Sequence, residues 1–142
     1  IRRPPRSTQS RSSAASDVYK RQANIGSDTV TVIDCDDRRI VADPPVGESP
    51  EGIGVDPDTG EVLVANQDDG MLSVLDPETL AETNRAMLGE TPIRVVFSPD
   101  GRYAFVPNRE SNDVSVIDVE AFEEVARHET ELHPDGIAYL RR

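Results

Sequence analysis

Two arginines and one histidine are the side chains of this sequence best suited to hold a ligand. Arg94, Arg109 and His133 are singular, because residues of other types stand at the equivalent positions of an internal repeat. A guanidinium group offers several N–H donors in a plane that matches a carboxylate or phosphate, and a histidine adds a further donor. Grouped together with Asp135, these side chains form a candidate site for a carboxylate, a phosphate or a haem propionate.

The same residues also allow a purely structural interpretation. Arg94 would then pair with a nearby acid such as Glu51 or Asp135, and His133 would be an exposed loop residue. The sequence leaves both interpretations open.

No arrangement of residues predicts catalysis or a metal site. The sequence lacks a Gly-x-Ser-x-Gly motif, a histidine–cysteine pairing in a nucleophile's local context and a glycine-rich phosphate loop. The single cysteine, Cys35, has no partner cysteines at metal-ligand spacing. The carboxylates of Asp56–Gly60 suggest a calcium loop, but the spaced ligands and distal glutamate are missing, so this stretch is predicted to be a turn. We predict no catalytic residue, no metal and no resident cofactor.

A repeat of 42 residues without gaps runs from Ala23 to Arg142 and decides which residues are singular. A residue present in every repeat is expected to serve the fold, because one ligand needs one site rather than three. The residues predicted to be structural on this ground are Asn24, Asn66, Asn108, Asp34, Asp76, Asp118, Pro50, Pro92 and Pro134.

Short runs of β-branched residues bounded by turn signals predict four strands in each repeat. A period near 40 residues built of such strands is typical of β-propeller blades. The predicted strands are Gly52–Val55, Val62–Ala65, Met71–Leu75 and one within Leu80–Leu88, followed by Val95–Ser98, Tyr103–Val106, Asp113–Ile117 and one within Val119–Arg127. The sequence therefore predicts an all-β propeller fragment with two complete blades, the outer half of a blade before them and an inner strand after them. We expect the cut blade faces to expose apolar surface.

The candidate residues fall on one predicted face of these blades. The linkers between blades are expected to emerge beside the turns that join the second and third strands, and we call this surface the linker face. It consists of Gly47–Glu51, Gly89–Ile93 and Glu131–Asp135 with the turns Ile25–Asp28, Gln67–Gly70 and Arg109–Asp113. Arg94 takes the place of Gly52 and Gly136 at the start of an inner strand, and propellers usually bind ligands at this end of the channel.

Residues 1–22 differ from the repeats in having no apolar periodicity and six basic residues against one acidic residue. They resemble translated sequencing-adapter read-through, so we interpret them as an unstructured, artefactual tail and residues 23–142 as the propeller blades. Without this tail the chain has 26 acidic residues, nine arginines and a formal net charge of −17. Such a charge repels nucleic acids and anionic lipids. The sequence contains no run of 18 apolar residues, so we predict no insertion into a membrane.

The repeat text resembles the YVTN-repeat β-propellers. The resemblance rests on LVAN at Leu63–Asn66, FVPN at Phe105–Asn108, FSPDGR at Phe97–Arg102 and the SVID-type third strands, and it covers residues 23–142. It implies a ring of about seven four-stranded blades in an exported protein, periplasmic or at the cell surface. The sequence departs from the family pattern at Pro107, Arg94 and Glu131.

The resemblance implies a binding platform whose loop face holds a protein, a carbohydrate or a small anionic ligand. The remaining blades of the same ring are the other expected partner. Similar text also occurs in lactonase-type propellers and in the haem d1 propeller of a nitrite reductase. The alternative function is therefore a propeller enzyme, lactonase-like or redox, with its site at the channel mouth and with haem or quinone as its cofactor.

Overall fold

The computed structural model describes residues 19–140, which form eleven β-strands and no helix. The strands are β1 (Tyr19–Asn24), β2 (Thr29–Asp34), β3 (Arg39–Ala42), β4 (Pro50–Val55), β5 (Val62–Asn66), β6 (Met71–Leu75), β7 (Glu82–Met87), β8 (Val96–Phe97), β9 (Tyr103–Asn108), β10 (Asp113–Asp118) and β11 (Glu123–Glu129).

The strands pair in three antiparallel sheets in which neighbours in sequence are also neighbours in space. β1–β3 form a three-stranded sheet, and β4–β7 and β8–β11 form four-stranded sheets. In every sheet the last two strands, which are the third and fourth strands of a blade, shift register at the same place. The shift follows a valine at equivalent positions of the repeat, Val32, Val74 and Val116. The all-β prediction with two complete four-stranded blades is confirmed.

The core lies between the sheets, and the middle sheet is covered on both faces. Successive strand residues point to opposite faces, so β5 contributes to two clusters. Val62 and Val64 pack in the cluster with the first sheet, and Leu63 and Ala65 pack in the cluster with the third sheet. All five residues of β5 are buried. This double burial explains why the strand is apolar throughout rather than alternating.

A side-chain hydrogen bond links the second and third strands of each blade. The amide nitrogen of the repeated asparagine donates to a hydroxyl group on the neighbouring strand. The three bonds are Asn24 to Thr31 at 2.7 Å, Asn66 to Ser73 at 2.8 Å and Asn108 to Ser115 at 2.9 Å. Asn66 and Asn108 are fully buried. These asparagines therefore join strands within one sheet.

The repeated aspartate at the end of each third strand holds the turn that follows it. One carboxylate oxygen of each accepts hydrogen bonds from the backbone N–H groups two and three residues later. These residues are Asp34, Asp76 and Asp118, with bonds of 2.7–3.1 Å. The backbone N–H of Thr79 is the main cause of the lowered pKa of Asp76. Among the repeated prolines, Pro50 opens β4 and Pro92 forms an isolated bridge with Asn108.

The first sheet is larger than predicted. The sequence predicts the outer half of a blade there, but the sheet contains three of the four strands because β1 pairs with β2 from Tyr19 onward. Residues 19–22, which the sequence assigns to the tail, therefore belong to this sheet. Strand pairing depends on backbone groups, so β2 can hold a neighbour whose side chains do not follow the repeat. The rest of the predicted tail, residues 1–18, lies outside the described residues.

The region after β11 is less regular than predicted. The sequence predicts an inner strand following Pro134, but residues 130–140 contain no strand. β8 is also short, with only Val96 and Phe97 in the ladder. Residues 136–140 are not paired into any of the three sheets. Tyr139 instead lies near Phe105, with ring centroids 6.3 Å apart.

Candidate functional site

The linkers lie directly against the turns that join second and third strands. The N–H of Gln67 donates to the carbonyl oxygen of Ser49 at 3.0 Å, and the N–H of Arg109 donates to that of Thr91 at 2.9 Å. The two bonds stand one repeat apart. The backbone thus forms the predicted linker face and places Arg109 beside the linker that precedes β8.

The residue before each linker proline has a left-handed backbone. Ser49, Thr91 and His133 have φ angles of 54°, 57° and 54°. A side chain holds two of these residues, since the N–H of Ser49 donates to Asp28 Oδ1 at 2.9 Å and that of His133 donates to Asn112 Oδ1 at 2.8 Å. The backbone of His133 therefore has the structural role that its sister residues have, whatever its imidazole does.

The position equivalent to Arg94 in the preceding blade is Gly52, where there is no room for a side chain. A Cβ atom built on Gly52 would lie 2.5 Å from Arg94 Cα and 2.7 Å from Arg94 N. The inner segments of the second and third blades therefore touch through their backbones at this point. Arg94 itself lies two residues before β8 rather than at the start of the strand as predicted. Its side chain leaves this crowded contact and is 56% exposed.

Arg94 and Arg109 meet at Asp135. Arg94 Nε donates to the backbone carbonyl oxygen of Asp135 at 3.1 Å. The carboxylate oxygen Oδ1 of Asp135 lies 3.8 Å from Arg94 Nη2 and 3.6 Å from Arg109 Nη2. The sequence predicts either a ligand-binding group or an internal ion pair here, and the three residues do lie together. Two guanidinium groups thus share one carboxylate.

The side chain of His133 contacts a different acid from the one that the two arginines share. Its Nδ1 atom is 3.7 Å from Glu110 Oε1, and both side chains are more than half exposed. The other acid considered as a partner of Arg94, Glu51, lies within β4. Of the four predicted site residues, the structure thus joins Arg94, Arg109 and Asp135 in one cluster and gives His133 a different ionic neighbour.

Sequence reasoning missed the residues that fix the linkers. Asp28 and Asn112 accept the linker N–H groups, and both have left-handed φ angles, as has Gly70 between them in the repeat. The signal was present, because an aspartate, a glycine and an asparagine at equivalent positions are the residue types that tolerate this conformation. Glu110 was also missed, and an isolated acid in such an acidic chain gives no signal.

A second concave region lies at the opposite end of the blades, between the second and third sheets. It is lined in part by Asp56, Asp58, Asp100 and Glu120. The carboxylate of Asp56 is buried and accepts hydrogen bonds from the N–H of Asp58 and from Thr59 Oγ1, both at 2.7 Å. These bonds hold a turn, as the sequence predicts for this stretch. Within residues 19–140, no group of three or more histidine, cysteine, aspartate or glutamate residues is arranged to hold a metal ion.

Comparisons with solved structures identify the fold. Hydrazine synthase from Kuenenia stuttgartiensis is 26% identical with a TM-score of 0.78, and the match covers 82% of this chain and 34% of that chain. Dihydro-heme d1 dehydrogenase NirN, in complex with DHE, is 22% identical with a TM-score of 0.67, covering 78% of this chain and 24% of that chain. Apo AztD from Citrobacter koseri is 17% identical with a TM-score of 0.69, covering 82% and 33%.

The chain forms part of a β-propeller. It spans about a third or less of the length of the structures it resembles. No protein-family model matches the sequence, and the search of curated proteins found no similar sequence. Across residues 19–140 of this propeller segment, no helix is long and apolar enough to cross a membrane.

Proposed function

We propose that this protein is an exported β-propeller scaffold without catalysis of its own, and that it binds an anionic ligand through the linker face. The ligand is a small molecule, a carbohydrate or a protein segment that carries a carboxylate or phosphate group. The observation that carries this proposal is the pair of guanidinium groups of Arg94 and Arg109 beside one carboxylate. Arginine is favoured where proteins recognise carboxylates and phosphates, because its planar N–H donors match the oxygens of these groups.

The negative charge of the chain determines which kinds of anion can approach Arg94 and Arg109. Residues 23–142 have a formal net charge of −17, so long polyanions such as nucleic acids are repelled. A small anion that reaches the linker face, by contrast, meets two guanidinium groups that share a single carboxylate. Further blades of the same ring are the proposed partners of the outer faces of the first and third sheets.

Citrate is a suitable probe because it presents several carboxylates. In the full-length protein, Arg94→Ala should weaken citrate binding by roughly 1.5–3 kcal/mol, the usual contribution of a hydrogen bond to a charged group. Arg38→Ala, on an outer turn, removes the same charge away from the linker face and should leave the affinity unchanged. Isothermal titration calorimetry at constant ionic strength measures both variants. Equal citrate affinity of wild type and Arg94→Ala would refute the proposed site.

Export is proposed from the resemblance to YVTN-repeat propellers. Cell fractionation of the native host tests it, with a periplasmic or surface fraction expected for the full-length protein. Recovery with cytoplasmic markers would contradict export without affecting the proposed ligand site.

A second candidate function is a redox or haem-associated propeller enzyme. It is suggested by the similarity to hydrazine synthase and by the name of another propeller of the same fold, dihydro-heme d1 dehydrogenase NirN. Propionate groups of a haem would suit Arg94 and Arg109, but the imidazole of His133 contacts Glu110 instead of this cluster, so it is not placed beside the arginines as an axial ligand. The described residues therefore do not fit a haem site. A Soret band that appears on adding haemin and disappears in His133→Ala would overturn this conclusion.

A further inference from the structure

We infer that the carboxylate of Asp135 is an internal substitute for the ligand anion, so that a bound anion displaces it from Arg94 and Arg109. This inference rests on the proposed function and adds a regulatory element to it. The linker face would be self-occupied in the free protein and would open when an external carboxylate or phosphate competes successfully.

The geometry of Asp135 differs from that of the arginine–glutamate pairs on the outer strands β7 and β11. Arg85 donates to both carboxylate oxygens of Glu82 at 2.8 Å, and Arg127 donates to those of Glu124 at 2.8 and 3.0 Å. Charge-assisted hydrogen bonds of this length are strong. The Asp135 carboxylate stays at 3.6 and 3.8 Å from its two arginines, so it is held by charge without direct hydrogen bonds to them.

The backbone of the same residue holds Arg94 independently of the carboxylate. Arg94 Nε donates to the Asp135 carbonyl oxygen at 3.1 Å, which leaves Nη2 directed at the carboxylate. Departure of the side chain would therefore leave Arg94 in place. The guanidinium groups would then be free to form bonds of ordinary charge-assisted length, about 2.8 Å, with an external anion.

The surroundings of Asp135 allow its side chain to move. The side chain is 60% exposed, and residues 130–140 contain no strand. At the adjacent Gly136, an added Cβ atom would have no neighbour within 4 Å. An exposed carboxylate in an open segment, held only by charge, is a weak competitor, since exposed ion pairs contribute little to stability.

Citrate titrations of two neutralising variants test the inference. Asp135→Asn should tighten citrate binding about fivefold over wild type, the loss of a weak internal competitor. Glu131→Gln makes the same charge change in the same linker and should alter the affinity less than about twofold, which reports the general electrostatic effect. Adding Arg94→Ala to Asp135→Asn should abolish the gain.

The outcomes separate the inference from the proposed function. Equal or weaker citrate binding by Asp135→Asn, with Arg94→Ala still impaired, overturns the inference and leaves the proposed function intact. An equal gain in Asp135→Asn and Glu131→Gln also overturns it, because net charge would then explain the effect. Absence of citrate binding in wild type and in every variant refutes both.

Discussion

The outer strands of the blades and the linker face use the same residue types in opposite ways. On the outer strands β7 and β11, Arg85 and Arg127 stand one repeat apart, and each is fixed by two hydrogen bonds to a glutamate on its own strand. On the linker face, Arg94 has no counterpart in the repeat and shares a distant carboxylate with Arg109. The comparison teaches that repeated charges belong to the blade, whereas singular ones remain available to another partner.

The inner segments give the same contrast at a single pair of positions. Gly52 and Arg94 are equivalent in the repeat. The backbone of Arg94 leaves no room for a side chain at Gly52, whereas Arg94 itself extends a guanidinium group into solvent. Packing between blades therefore requires glycine at position 52 but allows a long side chain at position 94. Four predictions test this division, in order of the expected effect.

The largest effect is expected at Gly52. Gly52→Ala would place Cβ 2.5 Å from the backbone of Arg94, which cannot move aside as a side chain could. The free energy of unfolding should fall by about 3 kcal/mol, the upper part of the range for overpacked sites. Urea denaturation measures this change.

Gly136→Ala is the matched control for that substitution. It occupies the equivalent position, where an added Cβ atom meets nothing within 4 Å. The change in unfolding free energy should stay within about 0.5 kcal/mol. Similar effects of the two substitutions would show that the close approach at Gly52 does not exist.

The repeated asparagines should follow next. Asn108 is fully buried and donates to Ser115 Oγ at 2.9 Å and to Asp113 Oδ1 at 2.6 Å. Asn108→Ala should cost about 2 kcal/mol, since it leaves buried partners without their donor. Asn24→Ala, in the half-buried first sheet, should cost less. Thermal unfolding of both variants measures whether the loss of stability increases with the burial of the asparagine. A greater loss of stability in Asn24→Ala than in Asn108→Ala would contradict this dependence on burial.

A smaller, pH-dependent effect is expected at the outer strands. Burial alone would raise the pKa of Glu82, but hydrogen bonds from Arg85 and Ser73 outweigh it and hold the pKa below its ordinary value of 4.5. A lowered folded-state pKa stabilises the protein above about pH 4.5 and loses this contribution as pH falls through the folded pKa.

Melting temperatures between pH 6 and pH 3 measure this contribution. Glu82→Gln should lose less stability than wild type over the acidic part of that range, because it has no carboxylate to protonate. Glu131→Gln, in the exposed linker, serves as the control and should follow wild type. An acid dependence in Glu82→Gln identical to that of wild type would show that the ion pair contributes nothing.

Much of the fold could be predicted because the same pattern of strand and turn residues occurs in three repeats. The third strand of the middle blade, Met71–Leu75, has the bounds that alternation and turn residues predict. The length of β8 and the lack of a strand in residues 130–140 could not be predicted, because both depend on tertiary contacts rather than on local pattern. For the same reason, the sequence named Asp135 as a partner of Arg94 without showing that Arg109 would reach it too.

The most direct test of the account observes the arginine side chains themselves. In a ¹H–¹⁵N spectrum of the full-length protein, the Nη–H signals of Arg94 and Arg109 should shift on addition of citrate, because Nη2 of each faces the Asp135 carboxylate that citrate displaces. Those of Arg85 and Arg127 should stay fixed, because their Nη2 donors are already bonded to glutamates. Shifts confined to Arg94 and Arg109 are the predicted result. Unchanged Arg94 and Arg109 signals, or equal shifts of all four arginines, would contradict the claim that the linker face is the anion-binding surface.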